Sequence, residues 1–219
     1  LCNGGSATVL VSAVGGTPNY TGTGSFSALA GIQTYTVIDS NGCSDSATIN
    51  VVQPVALSST ISSQNVSCNG LNNGSALASA NGGAPNYTYA WSNGGSTALI
   101  SNLAPGVYNV IVTDSNGCTS NSSVTISEPT ILTSAVVQTS NIACFGGTGT
   151  VLITANGGTG PYVGTGSQTV VAGNQTFTVT DANGCTSNAS ISISQPTQLV
   201  AIATQTSPIL CFGGQATVA

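Results

Sequence analysis

Lysine, arginine, histidine and methionine are all absent from the 219 residues, and the acids number five: Asp39, Asp45, Asp114, Glu128 and Asp181. Without His or Lys, no ordinary general base stands poised near neutral pH, and without any cation nothing charged can steady an oxyanion. What chemistry remains would have to run on lone carboxylates or a free thiolate. The chain is therefore expected not to be an enzyme, and no catalytic residue is assigned. Nucleic acid is excluded as a partner because phosphate affinity rests on Lys and Arg, and attraction to anionic membranes fails for the same reason. Long apolar runs are missing too. The longest are about half a dozen residues, where a span needs about 20, so no membrane insertion is expected.

What is present points to strands. Hydrophobic residues make up 40% of the chain, above the range of disordered sequences, and Val and Ile recur at alternate positions. Ser, Thr, Asn and 28 Gly supply the rest, a composition suited to turns and strand surfaces and poor for helices. The fold class expected is all-β. Seven cysteines indicate disulfides and an oxidising compartment. Zinc is the rival, but there is no His, and successive cysteines lie 25 to 50 residues apart instead of in CxxC knuckles. No metal and no cofactor is expected.

Internal repetition organises the chain. "LCNGGSATVL" (1–10) returns as "SCNGLNNGSALA" (67–78), "ACFGGTGTVL" (143–152) and "LCFGGQATVA" (210–219). "GGTPNY" (15–20) returns as "GGAPNY" (82–87) and "GGTGPY" (157–162), and alternating segments close on Pro54, Pro129 and Pro196. The first-landmark cysteines are spaced 66, 76 and 67 residues apart, a period that fits small domains joined as beads on a string. The expected boundaries are 1–54, with its first strand missing upstream, 55–129 in a long form, 130–196 in a short form, and 197–219 as the truncated start of a further repeat. Leu1-Cys2 and Leu210-Cys211 are equivalent positions, and the chain opens with neither Met nor a signal segment. An excerpt of a longer array is the expectation.

Within a bead, Tyr108, Val110 and Val112 alternate onto one face, as do Tyr35 with Val37 and Phe177 with Val179. Ile49 and Val51, Val124 and Ile126, and Ile191 and Ile193 do the same in the closing strand. "NLAPGVY" reads as the corner before a penultimate strand, and Tyr87, Tyr89 and Trp91 alternate on an earlier one. A tandem of small Ig-like or fibronectin-III-like β-sandwiches, six or seven short strands each, follows. The first and third beads omit about nine residues between that earlier strand and the corner.

Three near-identical heptads, "VIDSNGC" (37–43), "VTDSNGC" (112–118) and "VTDANGC" (179–185), fall where a turn is due. The turn residues are Asp39, Asn41 and Gly42; Asp114, Asn116 and Gly117; and Asp181, Asn183 and Gly184. Asp and Asn bond their own main chain, and Gly accepts positive φ. Calcium wants six or more oxygens and several carboxylates, whereas each heptad has one Asp and no acidic partner in phase. The motif is read as a turn that delivers a cysteine.

Two disulfide registers stay open. Bonds inside a bead would be Cys2–Cys43, Cys68–Cys118 and Cys144–Cys185. Clamps between beads would be Cys2–Cys118 and Cys68–Cys185, with Cys43, Cys144 and Cys211 paired outside the chain. Strand length favours the clamps. The first cysteine and the NGC cysteine of one bead belong at opposite poles, about 20 Å apart across a six-residue strand, and bridged Cα atoms sit 4.4–6.8 Å apart.

Residues 68–118, "CNGLNNGSALASANGGAPNYTYAWSNGGSTALISNLAPGVYNVIVTDSNGC", resemble the SprB-type repeat of Bacteroidota cell-surface and gliding-motility adhesins. The resemblance extends along the chain, although the first and third beads lack the Trp and the full corner. It implies type IX secretion and display on the cell surface as an outer-membrane-attached or released fibre. Asp45-Ser46-Ala47 is similar to the D-S/T-A acceptor that Bacteroidota O-glycosylate, with Ser46 as the candidate site.

Repetition without a repeated reactive site suits a load-bearing shaft of a large adhesin or filament. Its partners would be neighbouring repeats of the same long chain and parallel copies in a bundle, since few charges oppose contact. The alternative is a carbohydrate-binding module, in which exposed Tyr20, Tyr87, Tyr89, Trp91 and Tyr162 would stack on surface glycans. Alternation, however, points Tyr89 and Trp91 toward the core.

Overall fold

A computed structural model describes residues 2–208, 212–213 and 215–216, and among these every helix or strand assigned is a strand. The chain divides into two compact units, Leu1–Glu128 and Pro129–Ala219.

The first unit opens with β1 (Ala7–Val11) paired antiparallel to β2 (Gly24–Ala28), and β3 (Gly31–Ile38) paired to β4 (Ser44–Val51). Phe26 of β2 and Tyr35 of β3 meet with ring centroids 5.1 Å apart, so the two hairpins face each other. Six further strands follow: β5 (Ser58–Gln64), β6 (Gly74–Asn81), β7 (Thr88–Trp91), β8 (Leu99–Leu103), β9 (Gly106–Thr113) and β10 (Thr119–Ile126). They form two three-stranded sheets, ordered β5-β6-β8 and β10-β9-β7. With the strands lettered in chain order this is A-B-E facing G-F-C, the immunoglobulin-like sandwich without its extra edge strands.

Period-two alternation carries the core between those sheets. Ala76 and Ala78 of β6 and Ile100 and Leu103 of β8 meet Trp91, Val110, Val112 and Ile126 from the other sheet, all buried. Alanines on β6 leave room for the indole of Trp91 opposite, and its Nε1 donates to the Thr97 carbonyl at 2.9 Å. The corner closes through Tyr108, whose hydroxyl donates to the Ala104 carbonyl at 3.0 Å. At the open edge, Ser59 Oγ of β5 lies 2.9 Å from Ser120 Oγ and 2.6 Å from Ser122 Oγ of β10, joining the two sheets.

The second unit repeats the plan with five strands: β11 (Thr133–Ser140), β12 (Gly149–Asn156), β13 (Gly166–Val170), β14 (Gly173–Thr180) and β15 (Thr186–Ile193). Their sheets are β11-β12-β13 and β14-β15, around Ile142, Val151, Ile153, Val170, Val179 and Ile193. Ser134 Oγ and Ser187 Oγ, 3.0 Å apart, repeat the serine contact. The short form therefore has fewer strands than the six or seven read from the sequence. The equivalent of β7 shrinks to a single bridge, Val163↔Thr180, and in the first hairpins to Thr21↔Ile38. The missing stretch is the one that would have continued this strand.

Candidate functional site

The three Asp turns share one geometry. Asp39 Oδ1 accepts the amides of Asn41 and Cys43, both at 2.9 Å, and its Oδ2 accepts Thr17 N at 3.0 Å. Asp114 takes Asn116 N and Cys118 N on Oδ1 and Ala84 N on Oδ2, each at 2.9 Å. Asp181 takes Asn183 N, Cys185 N and Thr159 N, also at 2.9 Å. A carboxylate ringed by three amide donors is satisfied as an anion and turned away from cation duty. Among the described residues no cluster of three His, Cys, Asp or Glu exists that could hold a metal.

Each turn is keyed to the glycine loop before it. Tyr20, Tyr87 and Tyr162 donate their hydroxyls to the carbonyls of Gly15, Gly82 and Gly157 at 2.5, 2.7 and 2.6 Å. The second glycine of each pair, Gly16, Gly83 or Gly158, has φ near +60° and lies so close to the Asp Oδ2 that a Cβ would collide with it. Loop and turn therefore interlock.

The amides hold all three carboxyls below the ordinary aspartate range. At Asp39 the Thr17 amide contributes most, then Cys43, against a smaller opposing effect of burial. At Asp114 the Ala84 amide leads, burial opposes, and Cys118 and Asn116 add to the lowering. At Asp181 burial is the largest single influence and pushes upward, but the amides of Thr159, Cys185, Asn183 and Gly184 together outweigh it. A group that binds its proton less tightly when folded contributes stability above its unfolded value, about 3.9 for Asp, and loses it as pH falls through the depressed folded value. The thermal midpoint should thus stay flat through neutral pH and fall only below about pH 4. Calorimetry of the wild type against Asp114→Asn checks this, since the variant should lose part of that acid dependence.

The turn also aims its cysteine. Cys118 forms a disulfide with Cys2 across 116 residues, with Cα atoms 5.5 Å apart. The Cys2 loop is anchored at the exit of the first hairpins, where Gly4 N donates to Gln53 Oε1 at 2.7 Å and Asn3 Nδ2 to the Pro54 carbonyl at 2.9 Å. The Cys118 turn stands at the entrance of the six-stranded sandwich: Asp114 binds the Ala84 amide, and Gly83 N next to it donates to the Val55 carbonyl at 2.7 Å. The bond therefore straddles the joint at Gln53–Leu57. The glycine-to-side-chain anchor recurs as Gly70 N on Glu128 Oε2 at 2.6 Å and Gly146 N on Gln195 Oε1 at 2.8 Å.

Cys68 and Cys185 are disulfide-bonded as well, Cys43 and Cys144 are exposed free thiols, and Cys211 lies outside the described residues. The in-bead register is not the one formed. Cys2 and Cys118 bond each other, which removes Cys2–Cys43 and Cys68–Cys118, and the free thiol of Cys144 removes Cys144–Cys185. The reason is strand length. Gly70, beside Cys68, binds Glu128 just past the far end of β10, whereas Cys118 precedes its first residue. Eight strand residues run roughly 26 Å, too far for a bond. External pairing of Cys43 and Cys144, expected from the clamp register, is not present within the chain.

The aromatic residues proposed for sugar stacking do not form a platform. Trp91 is 5% exposed, Tyr89 is half-buried against the same core, and the hydroxyls of Tyr20, Tyr87 and Tyr162 are spent on loop carbonyls. Ser46 is exposed on β4, with its Oγ 2.8 Å from Thr36 Oγ1. The anchor from Gln53, Glu128 and Gln195 escaped sequence reasoning, although the residue before each closing proline is always Gln or Glu.

Residues 60–96 and 136–163 match the family model described as the SprB repeat. The chain carries SprB-type repeats. The matched segments run from β5 past β7 and from β11 to the Val163 bridge, and the first hairpins lie outside them. SprB repeats make this an adhesin-type module of a cell-surface protein. No curated protein matches the chain. Among solved structures, the mouse nectin-like molecule 4 ectodomain (Ig1–Ig3) is similar at 10% identity and TM-score 0.32, covering 77% of this chain and 75% of that one. A structure described as the basis for Dscam isoform specificity has 13% identity and TM-score 0.28, covering 74% and 54%. The eight N-terminal Ig domains of Down Syndrome Cell Adhesion Molecule isoform 1.30.30 have 12% identity and TM-score 0.30, covering 94% of this chain and 37% of that one. The assignment as Ig-like rests on the strand orders of the SprB-type sandwiches, not on these overlaps. No helix among the described residues is long and apolar enough to cross a membrane.

Proposed function

We propose that the chain is a shaft segment of a large secreted adhesin or extracellular filament, which transmits tension and performs no chemistry. The observation that carries this reading is the Cys2–Cys118 bond across the Gln53–Leu57 joint. A staple there bypasses the weakest element of a beaded chain, its linker. Beads of about 70 residues bury modest cores and gain from such staples. Each bead is one repeat, with boundaries at 1–54, 55–129, 130–196 and 197–219. Because Cys68 and Cys185 repeat the positions of Cys2 and Cys118 at offsets of 66 and 67 residues, they form the next clamp in the series. Cys43 and Cys144 fall at places where the series calls for partners in further repeats. Ser46 is the proposed O-glycan acceptor, and type IX export with surface display follows from the family resemblance.

Electron micrographs of the native material test the reading. Thin fibres beaded every few nanometres are expected, and compact particles would overturn it.

A further inference from the structure

The first hairpins carry a gap that the other sandwiches do not. In those, the central strand of one sheet, β6 or β12, is flanked on its outer edge by β5 or β11. Its counterpart β1 pairs only with β2, and its other edge is unpaired. A groove of about 340 Å³ opens there, lined by Val11, Ala13, Tyr20, Val37, Asp45 and Ala47. Residues that face this gap are less buried than their equivalents. Val37 is half-buried where Val112 and Val179 are 0% exposed, and Val9 is half-buried where Ala76 and Val151 are 1% and 0% exposed.

The chain also holds a strand without a sheet. "TQLVAIATQTS" (197–207) aligns with "TILTSAVVQTS" (130–140), which contains β11, yet residues 197–204 belong to no strand. Leu199, Val200 and Ile202 are 95%, 65% and 80% exposed. The equivalent of Leu199 is Leu132, which is 8% exposed and packs beside Gly158. Gly16, the counterpart of Gly158, has no such leucine against it.

We propose that the groove beside β1 is a strand-acceptor site, filled by residues 199–207 of a second copy of this chain, so that copies join head to tail. An added strand brings main-chain hydrogen bonds for affinity and alternate side chains for register. The register follows from β11 on β12, where Ser134 pairs with Ala155, Val136 with Ile153 and Gln138 with Val151. Ala201 then pairs with Ala13, Ala203 with Val11 and Gln205 with Val9, and Leu199 seats against Gly16. One position tunes specificity. Asp45, paired with Val37, stands where Ser120 and Ser187 stand opposite Val112 and Val179. Those serines meet Ser59 and Ser134 of the docked strand, the equivalents of Ala201. A serine at 201 would give Asp45 a hydroxyl donor, and the donor strand should bind roughly tenfold tighter.

The test is sedimentation of the full chain as Cys43→Ser/Cys144→Ser, so that thiol exchange cannot imitate association. The weight-average mass should rise above the single-chain 21.3 kDa with concentration and return to it when excess synthetic peptide 197–208 is added. Leu199→Asp alters a fully exposed side chain, so the fold stays intact. It should abolish self-association while the variant still binds the peptide, and peptide carrying Ala201→Ser should bind more tightly. A chain that stays monomeric and ignores the peptide overturns the site. Peptide binding without self-association overturns the second copy as occupant, and association that the peptide cannot compete away overturns the register.

Discussion

Reduction should lengthen the chain's contour under force by on the order of 40 nm. In the oxidised protein a pull on the two ends passes through the Cys2–Cys118 bond, and at least the 116 residues between them never feel tension. At roughly 3.4 Å per extended residue, that hidden length is released only when the bond is cut. Single-molecule stretching with and without dithiothreitol measures it directly. The same bond removes a loop of this length from the unfolded ensemble, worth about 5 kcal/mol on the chain-entropy account, so reduction should also lower the thermal midpoint of the first unit. An unchanged contour length would mean that the staple does not carry load.

Gly83→Ala should be the most damaging single substitution outside the hydrophobic core. Gly83 has φ +62°, and an added Cβ would overlap Asp114 Oδ2 and press on Leu57 Cβ. The backbone strain alone costs about 1–3 kcal/mol, and the collision breaks the carboxylate's contact with the Ala84 amide. A loss of about 3 kcal/mol, or roughly 10 °C or more in midpoint for a bead this small, is expected. Gly117→Ala is the control. Its φ is +82°, but nothing lies within 4 Å of the new Cβ, so it should cost only about 1–2 kcal/mol. Thermal denaturation of the pair separates interlocking of loop and turn from ordinary glycine strain.

Much of this was legible in the sequence, and the reason is local. Alternation placed Val110, Val112 and Val179 inward because a strand's period is two, and Asp-x-Asn-Gly announced its turn because each residue type has one backbone use there. Burial of Trp91 followed from the same alternation. The long-range closures were not legible. Nothing in "GGAPNY" says that Tyr87 will reach back to the Gly82 carbonyl, or that Gly83 must be bare because a carboxylate 31 positions later lies over it. The Gln53, Glu128 and Gln195 anchors join residues about 50 apart, and a single sequence carries no signal for such pairs beyond their recurrence. The strand count of the short form was overestimated for a related reason. Whether a segment continues as a strand or stops at one bridge depends on what its neighbour presents.

The central claim is that sulfur staples one bead to the next, and non-reducing peptide mapping tests it most directly. Trypsin finds no site in a chain without Lys or Arg, so the digest is made with pepsin at low pH, which also suppresses disulfide exchange. A peptide pair joining Cys2 to Cys118 is the predicted result, and a pair joining Cys68 to Cys118 would contradict the account.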